Sequence, residues 1–490
     1  MDLALCIVAA SLLLAATPGF DLWVCAFLAF ALIAYIFDRG KIKPYKSAFL
    51  IGFIYYTVGA SWISVPMTLF GGAPEIASAG LVLFTGVVTA LWFWVPYGYV
   101  IGRTNSTLLG GIVFIALEMM KGKYLFGGLP WLNIGLTQVS NKPALQIVSI
   151  IGEHGLSLLV ILIGGYLYKV IKLKLNKEQF SKELGVVLGL LLLTFGFGGL
   201  KLILNDPQTP THTARLVQTG ILQEDKWDRS KRAQVLADLV SRVDEAGSAQ
   251  GDYDLMVLPE SSFTANPFTH ADVSALVRKV SADKPLILGF DRRDEAKNIY
   301  NTMAIVKEGG ILQSYDKMKL APFGEYFPFE RQLYPIRRFF FGDGALFTAG
   351  TTPQIFTYDD MRMAPLICFE GVFSELIRER VLMGANILLM ISNDAWFGKS
   401  LGRIQHLDIE VVRAVEYGRY MLRTTQDGIS AVISPYGDKE VVFPEKMYYF
   451  SDTGFSLEKH ITPFARFGYV WYVLLICGYA IRLMVNRRSS

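Results

Sequence analysis

Histidine and cysteine are scarce in this chain, with five of one and four of the other in 490 residues. His154, His212, His270, His406 and His460 are scattered without the spacing of a ligand set, so no metal is expected. Cys6, Cys25 and Cys477 lie in apolar segments, which argues against a disulfide framework and leaves Cys368 as the one thiol in a polar region. The glycines form neither G-x-x-x-x-G-K nor G-x-G-x-x-G between a strand and a helix, so no nucleotide cofactor is indicated. Charge is thin as well: 18% of residues carry one and the net is +4, too little and too localised to mark a nucleic-acid partner.

Apolar residues fill that space, at 52% of the chain and a mean hydropathy of +0.36, which reads as a membrane protein. Apolar stretches at 3–16, 22–37, 48–70, 76–101, 107–120, 155–170 and 184–204 predict seven spans, and 469–485 an eighth. The first two and the fifth are short against the ~20 residues that a bilayer core asks of a helix. A cleaved signal peptide competes for 1–17, but that stretch has no basic start. With the N-terminus inside, thirteen lysines and arginines fall on the inner segments against Lys121, Lys123 and Lys142 on the short outer ones. The positive-inside rule then places both termini in the cytoplasm and 205–462 outside. The expected division is 1–204 for the seven spans, 205–462 for an outer domain and 463–490 for the last span with its basic tail.

Within 205–462, strand-like runs at 213–221, 255–258, 285–290, 302–306, 362–368, 387–391 and 429–434 alternate with helical patterns at 229–246, 271–282, 374–383 and 404–422. Such alternation predicts an α/β layered domain. Its strands deliver chemistry-bearing groups at their ends: Glu260 after LMVLP, Cys368 and Glu370 after MAPLI, and SNDAWFG after NILLMI. Lys317 sits in YDKMKLAPFGEYFPF, whose prolines exclude a regular helix. Taken singly, Glu260 reads equally as a capping or solvated carboxylate, Lys317 as a solvated loop cation and Cys368 as core. Jointly they have a logic: a thiol with pKa ~8.5 needs a base or a cation to attack, and a lysine can hold the charge of a tetrahedral intermediate.

The order Glu260 in LPES, Lys317 in DKMKLAPFGEYFP and Cys368 in ICFE resembles the Glu-Lys-Cys triad of the nitrilase, or carbon-nitrogen hydrolase, superfamily. KLAPFGEYFP, CFEGVF, SNDAWFG, QHLDIEVVRAVEYGRYMLRTTQDGIS and, earlier, FGGLPWLNIGLTQ resemble the membrane-bound apolipoprotein N-acyltransferases of bacteria along nearly the whole chain. That resemblance implies a polytopic helical membrane domain of about eight transmembrane helices joined to an α-β-β-α sandwich in the bacterial inner membrane, its catalytic domain periplasmic and without a cofactor. It implies transfer of an acyl chain from a membrane phospholipid to the N-terminal amine of a diacylglyceryl-cysteine on an apolipoprotein, through a thioester on Cys368. Glu260 would be the general base and Lys317 the oxyanion partner, with supporting roles for Glu325, Phe369 and Glu370 and a substrate-entry role for Trp227. Tyrosine is common after the family's cysteine; Phe369 keeps the aromatic ring without the hydroxyl. Tyr334, Arg337, Arg338, Phe339, Phe340 and Phe341 could line an acyl entrance. A membrane-anchored amidase using water as second nucleophile, or a transporter or receptor with an outer binding domain, are the rival readings.

Overall fold

The computed structural model describes residues 2–69, 72–205, 209–228, 230–327, 332, 334, 338, 346–443 and 447–488. Every predicted apolar stretch contains a helix: Asp2–Ala15, Val24–Arg39, Pro44–Gly59, Glu75–Thr104, Thr107–Tyr124, Val148–Leu175, Ser181–Ile203 and Val470–Arg488. Among the described residues, three are long and apolar enough to cross a membrane: Glu75–Thr104, Val148–Leu175 and Ser181–Ile203. A fourth follows if Pro44–Gly59 and Ser61–Leu69, bent by 47°, make one span. Asp2–Ala15 and Val24–Arg39 fall short in length, Thr107–Tyr124 carries Glu118, Lys121 and Lys123, and the last helix is apolar over Val470–Ile481. Outward side chains such as Ile76, Leu192 and Ile203 are 85%, 73% and 81% exposed, and the wider band of exposed apolar residues on these helices is a surface for hydrocarbon.

Among the described residues, the polar region forms twelve strands: β1 (His212–Gln218), β2 (Leu255–Val257), β3 (Leu286–Arg293), β4 (Ile299–Lys307), β5 (Gly310–Asp316), β6 (Phe356–Tyr358), β7 (Met361–Ile367), β8 (Ile387–Ser392), β9 (Met421–Thr425), β10 (Ala431–Ile433), β11 (Lys439–Val442) and β12 (Tyr449–Phe455). They form two six-stranded sheets, ordered β12-β1-β2-β3-β4-β5 and β11-β10-β9-β8-β7-β6. Each has a parallel core, β1-β2-β3 in one and β7-β8-β9 in the other, flanked by antiparallel strands. The central strands read as continuous apolar runs because both of their faces are covered.

Side-chain alternation divides those runs between layers. Val257, Ile287, Met303, Ile305, Met363, Ile367, Leu389 and Ile391 meet between the sheets. Met256, Leu286, Leu288 and Ala304 pack outward on the helices Arg232–Ser248 and Ala271–Val280. Ala364, Leu366, Leu388 and Met390 turn the other way, onto Ser374–Leu382 and Gly402–Tyr417, and that layer shares one core with the apolar helices. The result is an α-β-β-α sandwich whose last helical layer rests on the membrane bundle. Gly402–Tyr417 is buried nearly all round, since one side meets the sheet and the other meets Val148–Leu175.

The helical pattern at 404–422 ends earlier than its periodicity suggests. Gly418, at φ +58°, stops the helix at Tyr417, and Met421–Thr425 becomes a buried central strand. The four edge strands, β5, β6, β11 and β12, were not marked by an apolar run and are supplied by tertiary pairing.

Candidate active site

Glu260, Cys368 and Asn393 follow the carboxyl ends of the parallel strands β2, β7 and β8, and Lys317 follows β5. Pro259 lies two residues after β2, and the Glu260 turn lies directly on β3. A Cβ at Gly289 would come within 2.9 Å of the Glu260 Cα, so only glycine allows that approach. Ser262 Oγ and the Gly289 amide close the contact at 3.2 Å.

The carboxylate of Glu260 is buried and held on both oxygens. Oε1 accepts from Asn301 Nδ2 at 2.6 Å and Oε2 from the Asn393 amide at 2.8 Å. The Lys317 ammonium lies 3.5 Å from Glu260 Oε1 and 2.9 Å from Glu325 Oε1. Asn301 Nδ2 also donates to Glu325 at 2.9 Å, and the Ala321 amide holds the second Glu325 oxygen at 2.7 Å. One cation is thereby shared by two carboxylates. Burial lifts the Glu260 carboxyl above its ordinary range despite Lys317, so it can take up a proton and release it. Burial works against the Lys317 charge, but Glu325 and Glu260 outweigh it and keep the ammonium protonated.

Cys368 is half-buried, with its backbone at φ +52°. That left-handed conformation costs a non-glycine residue roughly 1–2 kcal/mol, so the surroundings must impose it. Glu370 does so. Its Oε2 accepts from the Ile367 amide at 2.9 Å; its Oε1 accepts from Tyr315 Oη at 2.5 Å, Met318 N at 2.7 Å and Lys319 N at 3.1 Å. One buried carboxylate thus ties the cysteine turn to the loop that carries Lys317. Arg380, donating to the Tyr315 hydroxyl at 2.6 Å, completes the knot. Burial and the Glu260 charge push the Cys368 thiol up, with Lys317 opposing, so the resting group is a thiol that needs a base. Phe369 packs edge-on to Phe373 at 5.1 Å, a role that its ring fills without a hydroxyl.

Trp227 ends the short helix Gln223–Trp227, and its side chain lies outside the described residues. Tyr334 and Arg338 are described, whereas Arg337, Phe339, Phe340 and Phe341 lie outside them. Among the described residues no group of three or more His, Cys, Asp or Glu could hold a metal ion.

Asn301, inside an ordinary-looking strand, was not legible as a site residue. Nor was the ion cluster beneath the Asn393 turn. Asp394 meets Ser392 Oγ at 2.7 Å, His406 Nδ1 at 3.0 Å and Arg423 at 2.6 Å, while Glu410 takes Arg423 Nε at 2.5 Å and lies 3.1 Å from His406 Nε2. Although burial opposes its charge, Arg423 and His406 hold the Asp394 carboxyl far below the usual carboxylate range. Two anions face two cations, so the cluster is neutral as a whole. Asp394→Ala would leave Arg423 and His406 to share the single carboxylate of Glu410, a buried cluster with one uncompensated positive charge, and we expect a loss of about 3–5 kcal/mol, read as a lower unfolding midpoint of the detergent-solubilised protein.

The 126–138 loop reaches this site from the membrane bundle. Tyr326 Oη donates to the Phe126 carbonyl at 2.8 Å, and Trp131 stacks over His406 at 5.8 Å while its Nε1 donates to Gln405 at 2.7 Å. Glu118 accepts the Ile134 amide at 2.8 Å and pairs with His154, so it braces that loop.

A buried carboxylate-ammonium pair beside a thiol at a strand end, on an α-β-β-α sandwich, is the layout of the carbon-nitrogen hydrolase class. Residues 213–444 match the family model described as carbon-nitrogen hydrolase, and residues 9–166 match the apolipoprotein N-acyltransferase N-terminal domain. A relative named apolipoprotein N-acyltransferase from Haemophilus ducreyi is 30% identical over 96% of this chain and 94% of its own, and one of that name from Geobacter metallireducens is 30% identical over 89% and 86%. Among solved structures, an amidase of the nitrilase superfamily from Nesterenkonia AN1 covers 51% of this chain and 92% of its own at 18% identity, with a TM-score of 0.38. The chain belongs to the apolipoprotein N-acyltransferase family.

Proposed function

We propose that this acyltransferase moves a fatty acyl chain from a membrane phospholipid to the N-terminal amine of a diacylglyceryl-cysteine on an apolipoprotein. The observation that carries the reading is Glu260 and Lys317 paired beside the strand-end thiol of Cys368, in a loop layer touching the outer membrane loop. Eight spans in a bacterial inner membrane, with 205–462 on the periplasmic side and both termini cytoplasmic, fit two lipid substrates that never leave the bilayer. The basic residues of the inner segments support that orientation.

In the first half-reaction Cys368 Sγ attacks the phospholipid ester carbonyl as Glu260 takes the thiol proton. Lys317 faces the developing oxyanion. The intermediate collapses, the C–O bond breaks, and Glu260 returns its proton to the departing lysophospholipid alkoxide, leaving a thioester. In the second, the acceptor amine attacks that thioester and Glu260 accepts an amine proton. The C–S bond breaks, an amide forms, and the thiolate recovers the proton from Glu260. Asn301, Glu325 and Glu370 hold these groups in register, and Trp227 belongs to the entrance.

The reading is tested by incubating purified protein with phospholipid and no acceptor, then adding a diacylglyceryl-cysteinyl peptide. A hydroxylamine-labile acyl mass on the Cys368 peptide, equal amounts of lysophospholipid released, and discharge by the peptide amine are expected. Discharge by water alone at an equal rate would instead mark a hydrolase.

A further inference from the structure

Lys226 is a buried lysine that the reaction above leaves unused. It lies on the helix Gln223–Trp227, and its Nζ donates to the Ser261 carbonyl at 2.7 Å and to the Gln426 side chain. Ser261 immediately follows Glu260 and is itself at φ +47°, so the ammonium grips the backbone of the turn that presents the carboxylate. The same segment is tied back to Gln426 by two further bonds, from Gly220 N to the Gln426 carbonyl at 2.9 Å and from Gln426 Nε2 to the Ile221 carbonyl at 3.3 Å. Leu222 and Glu224 of this segment line a cavity of about 460 Å³ together with Val65 and Leu69 of the bent helix pair.

From these contacts we infer that Lys226 is a positioning residue, which joins the wall of that cavity to the catalytic turn and sets the proton affinity of Glu260. The inference rests on Glu260 being the base. A cation on the residue next to a buried carboxylate stabilises its charged form, adding to the effect of Lys317. The other charged and titratable groups around Glu260 are Lys317 and Glu325 from the loop after β5 and Cys368 from the end of β7; Asp291 on β3 faces Lys226 itself. Burial pulls the Lys226 ammonium down to about 8, with Asp291 and Glu260 opposing, so it is charged at neutral pH. If the helix lifted, Glu260 would lose this charge and bind its proton more tightly, so an open wall and a Glu260 already protonated, unable to accept the thiol proton, are one state.

The test reads Cys368 directly, through its rate of alkylation by iodoacetamide followed on the Cys368 peptide by mass spectrometry from about pH 5 to about pH 9. It compares the full-length protein with Lys226→Met, Lys226→Gln and Lys226→Arg. In the wild type the rate falls as Glu260 is protonated. Loss of the charge in the Met and Gln variants should raise Glu260's affinity for protons and move this acid limb upward by roughly half a pH unit or more, slowing alkylation near neutrality several-fold. The Arg variant should keep the limb in place. Should Lys226→Met fail to fold, Lys226→Gln, which keeps a donor without the charge, carries the comparison. A limb that stays put in the charge-free variant, with only the folded fraction reduced, makes Lys226 a structural lysine and overturns the inference. A Glu260→Gln control that retains the wild-type limb shows instead that Glu260 is not the base, and the Lys226 inference falls with that reading.

Discussion

Cys368→Ala is expected to give a folded protein that forms no acyl adduct and transfers nothing, a loss on the order of 10⁶-fold or to background, as when a covalent nucleophile is removed from other acyl-transfer enzymes. The fold should tolerate the change. The turn at Cys368 is imposed by the four bonds that Glu370 accepts, none of which involves the thiol. Alanine meets the same left-handed backbone as cysteine, so the unfolding midpoint should move little. The other cysteines offer no substitute: Cys6, Cys25 and Cys477 sit on apolar helices outside the sandwich. Cys368→Ser is a distinct case, because a hydroxyl is far harder to ionise than a thiol that burial already keeps protonated. It should fold, bind phospholipid and acylate barely if at all. An undiminished acyl adduct on Cys368→Ala would remove the thioester from the mechanism.

The parts of this site that could be read in the sequence are those that end apolar runs. LMVLPE and MAPLICFE each carry a buried strand into a carboxylate or thiol, and the fold confirms both strands as central and parallel. The loop after β5 was readable through its prolines and its family motif. Asn301 was not, because it occupies one position of an alternating strand and shows its meaning only when the Glu260 turn and the Glu325 loop meet over it. His406, Glu410 and Arg423 were hidden for a related reason: the helical pattern read over 404–422 runs past Gly418 into the first residues of the strand that carries Arg423, so nothing marked the turn that brings them onto Asp394. Gly418 was the available signal, since a glycine there permits the φ of +58° that stops a helix. Lys226 looked like one charge among several in QEDKWD, and only a fold that buries it distinguishes it from its neighbours. Each apolar stretch contains a helix, whereas the short turns Ile134–Gln138 and Lys142–Leu145 lie between stretches and are set by contacts such as the Glu118 carboxylate accepting the Ile134 amide.

Glu260→Gln separates the base from its scaffolding. Glutamine keeps the length and one acceptor for the Asn393 amide, but its amide nitrogen must face Asn301 Nδ2 or Lys317, both donors, where the carboxylate accepted. The proton of Cys368 then has no carboxylate to go to, since Glu325 is engaged by Lys317, Asn301 and the Ala321 amide. We expect acylation to fall by about 10³-fold or more, near the upper range for loss of general acid–base catalysis. The pH dependence should change in kind. In the wild type, Glu260 is lifted above the ordinary carboxylate range by burial, so the rate is fully present above that raised value and is lost as the pH falls through it. In Glu260→Gln that acid limb disappears, and the residual rate climbs with pH because it depends on ionisation of a thiol that burial and the remaining Glu325 and Asp394 charges disfavour. A variant that lost activity but kept the wild-type acid limb would assign the titration to another group and leave Glu260 with a purely structural part.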